Sequence, residues 1–505
     1  MATLPILLLD VSHDFTVWEE ELSKWTQVPV GLSFLAAALR QRYPQETVSV
    51  RVMDVAMQPG YFAKVQEVLR DFRPRIVGLR ALSLTGRQLH AAARVVKEWS
   101  RGALVVAGGP YASSSPELIM EDPLIDAVCP GEGEQVIVDL AERLLTGATD
   151  LTGIPGLTCR HEGQVHRAAP APLIADLDRL PFPDYEGLDL SAYWGKHPHT
   201  AVGRPYASLV CSRGCPYGCI FCHTTYGRTL RHRSPEHIAR ECQELHARYG
   251  IRDFVVADDG FNVNLDWAKR VLRAIAALKL SPRIFFSNGL RGDIWDDEFL
   301  DLMVEAGVAE VFYAVESAAP RIQQILRKRL DIPRVEQAIV ATSRRGIITN
   351  GFFMVGIPGE TKEEVELTVA FITRQLEHLD FAYMSVMRAY QDSPAQAIAR
   401  SLGYDEHFLR EHALMPYCMQ VRVGSEYNFI PYELLKWARM QMALRVYQVP
   451  RMKRVLARLR RVLDEDEIVM KLATYMSTTR IAAQDVLRRY DQGVLDGVPP
   501  AAAAG

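Results

Sequence analysis

Residues 211–222 read CSRGCPYGCIFC and contain four of the eight cysteines of this 505-residue chain. Three of them follow the spacing Cys215-x3-Cys219-x2-Cys222. Random placement of the cysteines would produce such a triad only about 0.002 times per chain. Thiolates are preferred ligands of iron–sulfur clusters and of zinc. The stretch therefore predicts a metal site on one short loop.

The spacing favours a 4Fe–4S cluster. Three thiolates on a short loop bind three irons of a cubane and leave the fourth iron open. Structural zinc sites use four ligands, usually in two spaced pairs. Zinc remains an alternative, because Cys211 or His223 is available as a fourth ligand. Inert thiols that bind no metal are the second alternative. We call residues 214–222 the cluster loop.

The composition excludes several classes of partner. The chain is 48% hydrophobic and 24% charged, with a formal net charge of −3. This balance gives no sign of a nucleic-acid or acidic-membrane partner. No apolar run reaches the roughly 18 residues of a membrane span, and the first ten residues lack the features of a signal peptide. We expect a cytoplasmic protein, in which clustered thiols indicate metal and not disulfides.

The cluster loop follows the first of six predicted strands, which alternate with helices. Such units predict a partial or closed parallel (β/α)6 barrel, with its chemistry at the carboxyl-end loops. The predicted strands are Tyr206–Val210, Asp253–Ala257, Arg283–Ser287, Glu310–Val315, Ile347–Val355 and Phe381–Arg388.

The chain before the barrel also alternates β-rich runs with amphipathic stretches. This pattern predicts a doubly wound, Rossmann-like parallel α/β sheet, whose ligands lie beyond the carboxyl ends of its strands. The predicted strands are Ile6–Leu9, Val48–Met53, Ile76–Leu79, Leu104–Ala107 and Ile125–Val128. The predicted organisation is a sheet domain (1–148), a linker with a small hairpin (149–200), the barrel (201–400) and a helical region (401–505), disordered from about residue 496.

The cysteine triad and the barrel loops together resemble the radical S-adenosylmethionine superfamily. Phe221 matches the aromatic residue that flanks the adenine in that superfamily. Asp258-Asp259 follows the second strand, where the family holds the methionine amino group. The resemblance implies a set of cofactor contacts: Phe221, Asp259, Ser287, Glu316, Ser317, Gly356, Ile357 and Pro358.

This resemblance implies a radical reaction. The open iron would bind the methionine moiety, and electron transfer would break the carbon–sulfur bond. The resulting 5′-deoxyadenosyl radical abstracts hydrogen from unactivated carbon, which no side chain can do. The resemblance also implies an external one-electron reductant such as flavodoxin or ferredoxin.

The first sheet resembles the cobalamin-binding domain of the large cobalamin-dependent radical subclass. The matching segments are residues 29–37, 106–112 and 126–134. A corrin is a flat macrocycle that needs a wide crevice at the strand edge. The resemblance implies these contacts: Leu79, Arg80, Ser83, Thr85, Gly108, Gly109, Gly131 and Glu132.

One departure concerns the lower face of cobalt. Many cobalamin proteins carry Asp-x-His-x-x-Gly after the first strand. In this chain two residues separate Asp10 from His13, one more than in that motif, and the glycine of the motif is absent. We therefore expect a residue of the third strand, Leu79 or Arg80, at this face. Arginine cannot coordinate because it stays protonated, so Arg80 would favour loss of the axial ligand.

The resemblance implies a C-methyltransferase that moves methyl from methylcobalamin to an unactivated carbon of a small molecule. The alternatives are a radical cyclase, oxidase or rearrangement enzyme, and a non-catalytic sensor. Two features concern the substrate. The basic stretch 445–461 is either a solvated helix face or a docking site for an anionic or carrier-linked substrate. Four tyrosines either line the cavity or pack in the core: Tyr226, Tyr313, Tyr383 and Tyr390.

Overall fold

A computed structural model describes residues 3–12, 26–55, 61–193, 197, 204–222, 225–391, 393–414, 426–446, 448–475 and 480–492. His13, His223 and the predicted disordered tail lie outside these residues. Within the described ranges the chain forms two parallel sheets, a two-stranded ribbon and a set of carboxyl-terminal helices.

The first sheet is doubly wound, as predicted. Its strand order is β2-β1-β3-β4-β5-β6-β7, and the first five strands are parallel. The order reverses between β1 and β3, and such a switch point creates a crevice at the carboxyl edge. The strands are β1 (Leu4–Asp10), β2 (Val48–Asp54), β3 (Ile76–Arg80), β4 (Leu104–Gly108), β5 (Ala127–Val128), β6 (Thr158–His161) and β7 (Gln164–Arg167).

Helices cover both faces of this sheet, and each face has its own hydrophobic core. The helices are α1 (Val30–Arg42), α2 (Tyr61–Phe72), α3 (Gly86–Trp99), α4 (Gly109–Ser114), α5 (Pro116–Met120) and α6 (Glu134–Leu145).

The predicted hairpin belongs to this sheet. It forms β6 and β7, and β6 pairs antiparallel with β5. β5 has only two residues. The hairpin covers its outer edge, whose backbone groups would otherwise lack hydrogen-bond partners. The boundaries of the predicted domains stay a prediction.

The second sheet is the predicted barrel of six parallel strands. Its order is β15-β14-β13-β12-β11-β8, and β15 does not pair with β8, so the barrel is partial. The strands are β8 (Tyr206–Leu209), β11 (Asp253–Val256), β12 (Arg283–Leu290), β13 (Val308–Glu316), β14 (Ile348–Val355) and β15 (Phe381–Val386). A small antiparallel ribbon, β9 (Ser212–Arg213) with β10 (Arg231–His232), flanks the cluster loop.

Three of the barrel helices begin at short polar residues that cap them. Ser234, Asn264 and Asp296 accept hydrogen bonds from backbone N–H groups of α7, α8 and α9, which satisfies helix donors that otherwise lack partners. The helices are α7 (Pro235–Tyr249), α8 (Leu265–Ala277), α9 (Asp297–Glu305), α10 (Pro320–Ile325), α11 (Ile332–Arg344) and α12 (Lys362–Gln375).

Carboxyl-terminal helices close the barrel at the amino ends of its strands. Lys471 forms a buried ion pair with Glu310 near the start of β13. Glu467 pairs with Arg283, the first residue of β12, at 2.7 Å. The helices at this end are α16 (Val449–Leu459), α17 (Glu465–Tyr475) and α18 (Arg480–Asp491). α15 (Tyr432–Val446) packs against α12 and β15. α13 (Pro394–Ser401) and α14 (Glu406–Leu414) pack near Ile220 of the cluster loop. The cluster loop and its neighbouring loops lie at the opposite end of the barrel, at the carboxyl ends of the strands.

The basic stretch 445–461 contributes two arginines to this closure. The Arg451 guanidinium is buried and donates to the carbonyls of Leu379 and Asp380 at 2.6 and 2.8 Å. Arg458 pairs with the buried carboxylate of Asp380 at 3.2 Å. Lys453 and Arg454 are exposed, as expected for a solvated helix face. The stretch lies at the end of the barrel opposite to the cluster loop.

No helix in the described ranges is long and apolar enough to cross a membrane.

Candidate active site

The backbone before the cluster loop is held by a buried carboxylate. Asp258, just after β11, accepts hydrogen bonds from the Cys211 amide at 2.7 Å and the Ser212 hydroxyl at 2.6 Å. Burial raises the pKa of Asp258 to about 7, and the hydrogen bond from Ser212 opposes this rise. Cys211 is thus a core residue at the end of its strand.

The cluster loop itself is fixed at further points. The Cys215 amide donates to the Gly227 carbonyl at 3.2 Å, and the Ile220 amide donates to the Leu326 carbonyl at 3.1 Å. Gly214 has φ = 87°, and a Cβ there would lie 2.3 Å from the Thr229 carbonyl oxygen. Only glycine fits this close approach, so the loop conformation before Cys215 depends on it.

Cys215 and Cys219 are partly buried, and Cys222 is exposed at the protein surface. Desolvation by the surrounding protein raises the pKa of Cys219, and desolvation together with Asp259 raises the pKa of Cys222. A thiol in such surroundings becomes a thiolate when a metal binds it. The donor set therefore fits a metal group that supplies positive charge.

The arrangement fits a cluster better than a single ion. In the part of the chain that the structure describes, no three His, Cys, Asp or Glu side chains converge to hold one metal ion. A cubane needs less convergence, because each thiolate binds a different iron. Cys211 is buried in the core and is not available as a fourth ligand.

The residues predicted to contact S-adenosylmethionine lie around this loop at the carboxyl ends of the strands. Asp259 is solvent-accessible. Desolvation raises its pKa, and a hydrogen bond from the N–H of Gly214 opposes this rise. Glu316 ends β13 at φ = 64° and pairs with Lys328 at 2.7 Å. The Lys328 ammonium lies 5.8 Å from the centre of the Phe221 ring.

Two other predicted positions form hydrogen bonds within the protein. The Ser317 hydroxyl is fully buried and bonds to Thr368 at 3.1 Å, so it braces the turn after β13. The amides of Gly356 and Ile357 donate to Glu360 at 2.7 and 3.2 Å. Ser287 is buried on β12, and Pro358 lies in the loop after β14. The roles of these residues towards a cofactor stay predictions.

The third strand of the first sheet places Arg80 and Leu79 differently. Arg80 lies at the carboxyl edge, where its guanidinium donates to Asp10 at 2.5 Å and to Ser12 at 2.7 Å. Leu79 is buried in a hydrophobic core, and its predicted contact with a corrin stays a prediction. Of the two, Arg80 is the residue at the open edge.

The glycines at this edge leave room for a large ligand. A Cβ on Gly108 would meet no atom within 4 Å. Gly109 has φ = 83°, and a Cβ there would lie 2.8 Å from Cγ of Arg80. Ser83 bonds to Ser114 at 3.1 Å and is partly exposed, whereas Thr85 caps its own turn through Leu82. The open edge fits a flat macrocycle, although Thr85 offers no unused hydroxyl.

A buried charge cluster that includes Glu132 joins the two sheets. The Arg213 guanidinium donates to Glu132 at 3.0 Å and to Glu134 at 2.6 Å. Arg231 pairs with Glu132 at 2.9 Å. All four side chains are at most 8% exposed. We call these four residues the interdomain clamp, and the role predicted for Glu132 towards a corrin stays a prediction.

Aromatic rings complete the interdomain clamp. The Arg213 guanidinium lies 5.2 Å from the centre of the Phe34 ring and 4.9 Å from that of Tyr226. Phe34 is on α1 of the first sheet, and Tyr226 follows the cluster loop. Tyr226 therefore contributes to the interface, and Tyr313 packs in the core with its hydroxyl on Thr342. Gly131 lies in the same loop as Glu132, so the predicted corrin edge meets the chain beside the cluster loop.

Comparisons with known proteins agree with this arrangement. The profile of the Radical SAM superfamily matches residues 209–372, and that of the B12 binding domain matches residues 24–141. The chain is 31% identical over 369 residues to the uncharacterized methyltransferase PH0819 of Pyrococcus horikoshii, covering 72% of this chain and 77% of the relative.

Two further relatives differ in the reaction that their names state. Cytidylyl-2-hydroxyethylphosphonate methyltransferase of Streptomyces wedmorensis is 28% identical, covering 72% of this chain and 75% of the relative. Anaerobic magnesium-protoporphyrin IX monomethyl ester cyclase of Rubrivivax gelatinosus is 26% identical, covering 67% and 61%.

A solved structure shares the whole fold. The methyltransferase TsrM of Kitasatospora setae, with cobalamin and a 4Fe–4S cluster bound, superimposes with a TM-score of 0.66 at 18% identity. The match covers 97% of this chain and 100% of that one. With both family profiles and the relative from Pyrococcus, it confirms the predicted fold class and the three predicted cofactors. The chain belongs to the cobalamin-dependent radical S-adenosylmethionine methyltransferases.

Proposed function

We propose that this chain transfers a methyl group to an unactivated carbon of a small molecule, in the cleft between the carboxyl edges of its two sheets. The observation that carries the proposal is the interdomain clamp. It joins the loop that contains Gly131 to the segment that leads into the cluster loop. A substrate between these edges would have both cofactors beside it.

The chain's residues divide the work between the two edges. Cys215, Cys219 and Cys222 hold the 4Fe–4S cluster, which with S-adenosylmethionine supplies a radical that abstracts hydrogen from carbon, chemistry no side chain performs. Bound cobalamin supplies the methyl group. The protein has to position these partners and exclude water, because a reactive radical is otherwise quenched.

Three side chains are proposed to orient S-adenosylmethionine. Asp259 accepts the methionine ammonium, since it is the accessible carboxylate beside Gly214. Phe221 packs against the adenine. Glu316 accepts the ribose hydroxyls, and its ion pair with Lys328 holds the carboxylate in one place. Ser287 and residues 356–358 are kept as further contacts near the adenine.

Arg80 is proposed to lie beneath the corrin. It carries no lone pair that could coordinate cobalt, and Asp10 and Ser12 hold its guanidinium in place. Cobalamin held beside Arg80 would supply the methyl group. Asp10 is only 2% exposed, so the arginine is also needed to balance a buried charge.

The substrate is proposed to be a small molecule. The relative from Streptomyces wedmorensis acts, by its name, on a nucleotide-linked phosphonate, which favours an anionic or carrier-linked compound. The basic stretch 445–461 does not support that choice, because its arginines close the far end of the barrel. An external one-electron carrier and a cytoplasmic location complete the proposal.

The experiment is a search for the methylated product. Anaerobically reconstituted enzyme would receive methyl-deuterated S-adenosylmethionine, a reductant and a small-molecule extract of the source cells. We expect a compound that gains a deuterated methyl group only with intact enzyme. A compound that changes mass without deuterium would instead indicate cyclisation, oxidation or rearrangement, the second candidate that the cyclase relative favours.

A further inference from the structure

Two exposed arginines lie in an unusual backbone conformation next to the cluster loop. Residues 326–330, Leu-Arg-Lys-Arg-Leu, connect α10 to α11, and we call them the arginine loop. Arg327 and Arg329 have φ values of 54° and 53°. This left-handed region is unfavourable for side chains other than glycine and asparagine. The local backbone would thus favour other residues at both positions.

Neither guanidinium has a carboxylate partner within the described residues. Both arginines are exposed. The neighbouring Arg334 is also exposed and donates to the carbonyls of Asp293 and Trp295. The one carboxylate nearby in sequence, Asp331, caps α11. The arginine loop therefore presents a surface with excess positive charge.

The arginine loop contacts the cluster loop directly. The Leu326 carbonyl accepts the amide of Ile220, which lies between Cys219 and Cys222, at 3.1 Å. The Lys328 ammonium lies 5.8 Å from the centre of the ring of Phe221, the residue before Cys222. The exposed arginines flank Lys328, so a protein bound to them would lie close to the thiols.

A second contact joins the arginine loop to the other side of the cluster loop. Arg291 donates to the Lys328 carbonyl at 3.2 Å, and its guanidinium lies 3.8 Å from the centre of the Tyr217 ring. Asp293 binds the same guanidinium at 2.7 Å. The surface and the cluster loop are thereby held as one unit.

We propose that the arginine loop is the docking surface for an acidic one-electron carrier protein that reduces the cluster. The proposal rests on the proposed function, which places the cluster on the adjacent loop. The carrier loses one electron and the cluster gains it, and no bond is made or broken. Opposite charges on the two surfaces steer the carrier protein to the arginine loop. The redox group of the bound carrier then lies closer to the cluster.

The test variant replaces Arg327 by asparagine and Arg329 by glycine. These changes remove two charges and relax the left-handed backbone, so the folded protein should be at least as stable as the parent. A second variant, Arg327→Gln with Arg329→Gln, removes the charges without adding a glycine. The matched control is Lys453→Gln with Arg454→Gln, which removes two exposed charges at the opposite end of the barrel.

The measurement is the rate at which flavodoxin hydroquinone bleaches the cluster absorbance in a stopped-flow instrument. At low ionic strength we expect both arginine-loop variants to react about 10-fold more slowly than the parent and the control. The difference should disappear at high salt, because screening removes steering. Reduction by dithionite should be the same in all four proteins.

The proposal is overturned if both arginine-loop variants react with flavodoxin as fast as the parent at low ionic strength. An equal loss of rate in the control would also overturn it, since the effect would then follow net charge alone. Binding of an RNA oligonucleotide to the arginine loop without an effect on flavodoxin would assign the surface to another partner. Failure of the proposed function would appear separately, as absence of the cluster or of methylated product.

Discussion

At the scale of single residues, buried carboxylates define the geometry of the site. Glu360 accepts two backbone amides in the loop after β14, and Asp258 accepts the Cys211 amide and the Ser212 hydroxyl before the cluster loop. Both are deeply buried, and both pKa values are raised to about 7. These side chains act by holding backbone and not by contacting substrate.

Glu360 should make the stability of the protein depend on pH. Burial raises its pKa to about 7, above the usual value of 4.5. The folded state therefore holds a proton that the unfolded state releases, and the free energy of unfolding should fall as pH rises from about 4.5 to 7. Glu360→Gln should reduce this fall by about 1–3 kcal/mol. Urea titrations at several pH values measure it, and an unchanged slope would contradict the assignment.

Arg80 should affect methyl transfer more than cofactor binding. Arg80→Ala is expected to retain cobalamin and the cluster while slowing methyl transfer roughly 10-fold or more, by analogy with the loss of one positioned charged group. Arg80→Lys should retain more activity, because it keeps a positive charge beside Asp10. Turnover with bound cobalamin quantified by absorbance separates the two effects. Unchanged transfer in Arg80→Ala would argue strongly against a role beneath the corrin.

At the scale of elements, the cluster loop and the first sheet should bind their cofactors independently. Simultaneous replacement of Cys215, Cys219 and Cys222 by alanine should abolish the cluster absorbance near about 400 nm. Cobalamin should remain bound, because its predicted contacts lie on another sheet. Iron and cobalt analysis of the anaerobically purified variant measures both, and iron that stays bound would contradict the triad.

The interdomain clamp should stabilise the contact between the two sheets only when its charges are balanced. Glu134→Gln or Arg213→Met leaves the buried cluster with one unbalanced charge, which costs up to about 3–5 kcal/mol. The double variant removes one positive and one negative charge, and the pair of Glu132 with Arg231 remains. We expect the double variant to be more stable than either single variant in thermal unfolding. Strictly additive losses would show that the charges do not interact.

The strands and helices near the site were largely predictable, whereas this clamp was not. The period of apolar residues predicts each strand within a few residues, because burial of one face repeats locally along the chain. Glu132 and Arg213 are 81 positions apart, and no local pattern links two charges over that distance. The same limit applies to Lys328 and Arg291, whose contacts depend on how the loops meet.

At the scale of the whole molecule, the interdomain clamp joins the two parallel sheets, and the carboxyl-terminal helices cover the far end of the barrel. The resemblance predicted both sheets and the cofactors, since the family motifs lie in the loops that the fold brings together. It did not predict the use of the basic stretch 445–461. Charge runs are usually solvated, and burial of Arg451 depends on backbone carbonyls that only the folded barrel presents.

The most direct test of the whole account counts both products of S-adenosylmethionine during methylation. Anaerobic turnover with reduced flavodoxin would be quenched and analysed by mass spectrometry for S-adenosylhomocysteine and 5′-deoxyadenosine. Radical methylation consumes one S-adenosylmethionine for the methyl group and one for the radical, so we expect the two products in about equal amounts per methylated molecule. 5′-Deoxyadenosine alone, or S-adenosylhomocysteine alone, would contradict the account.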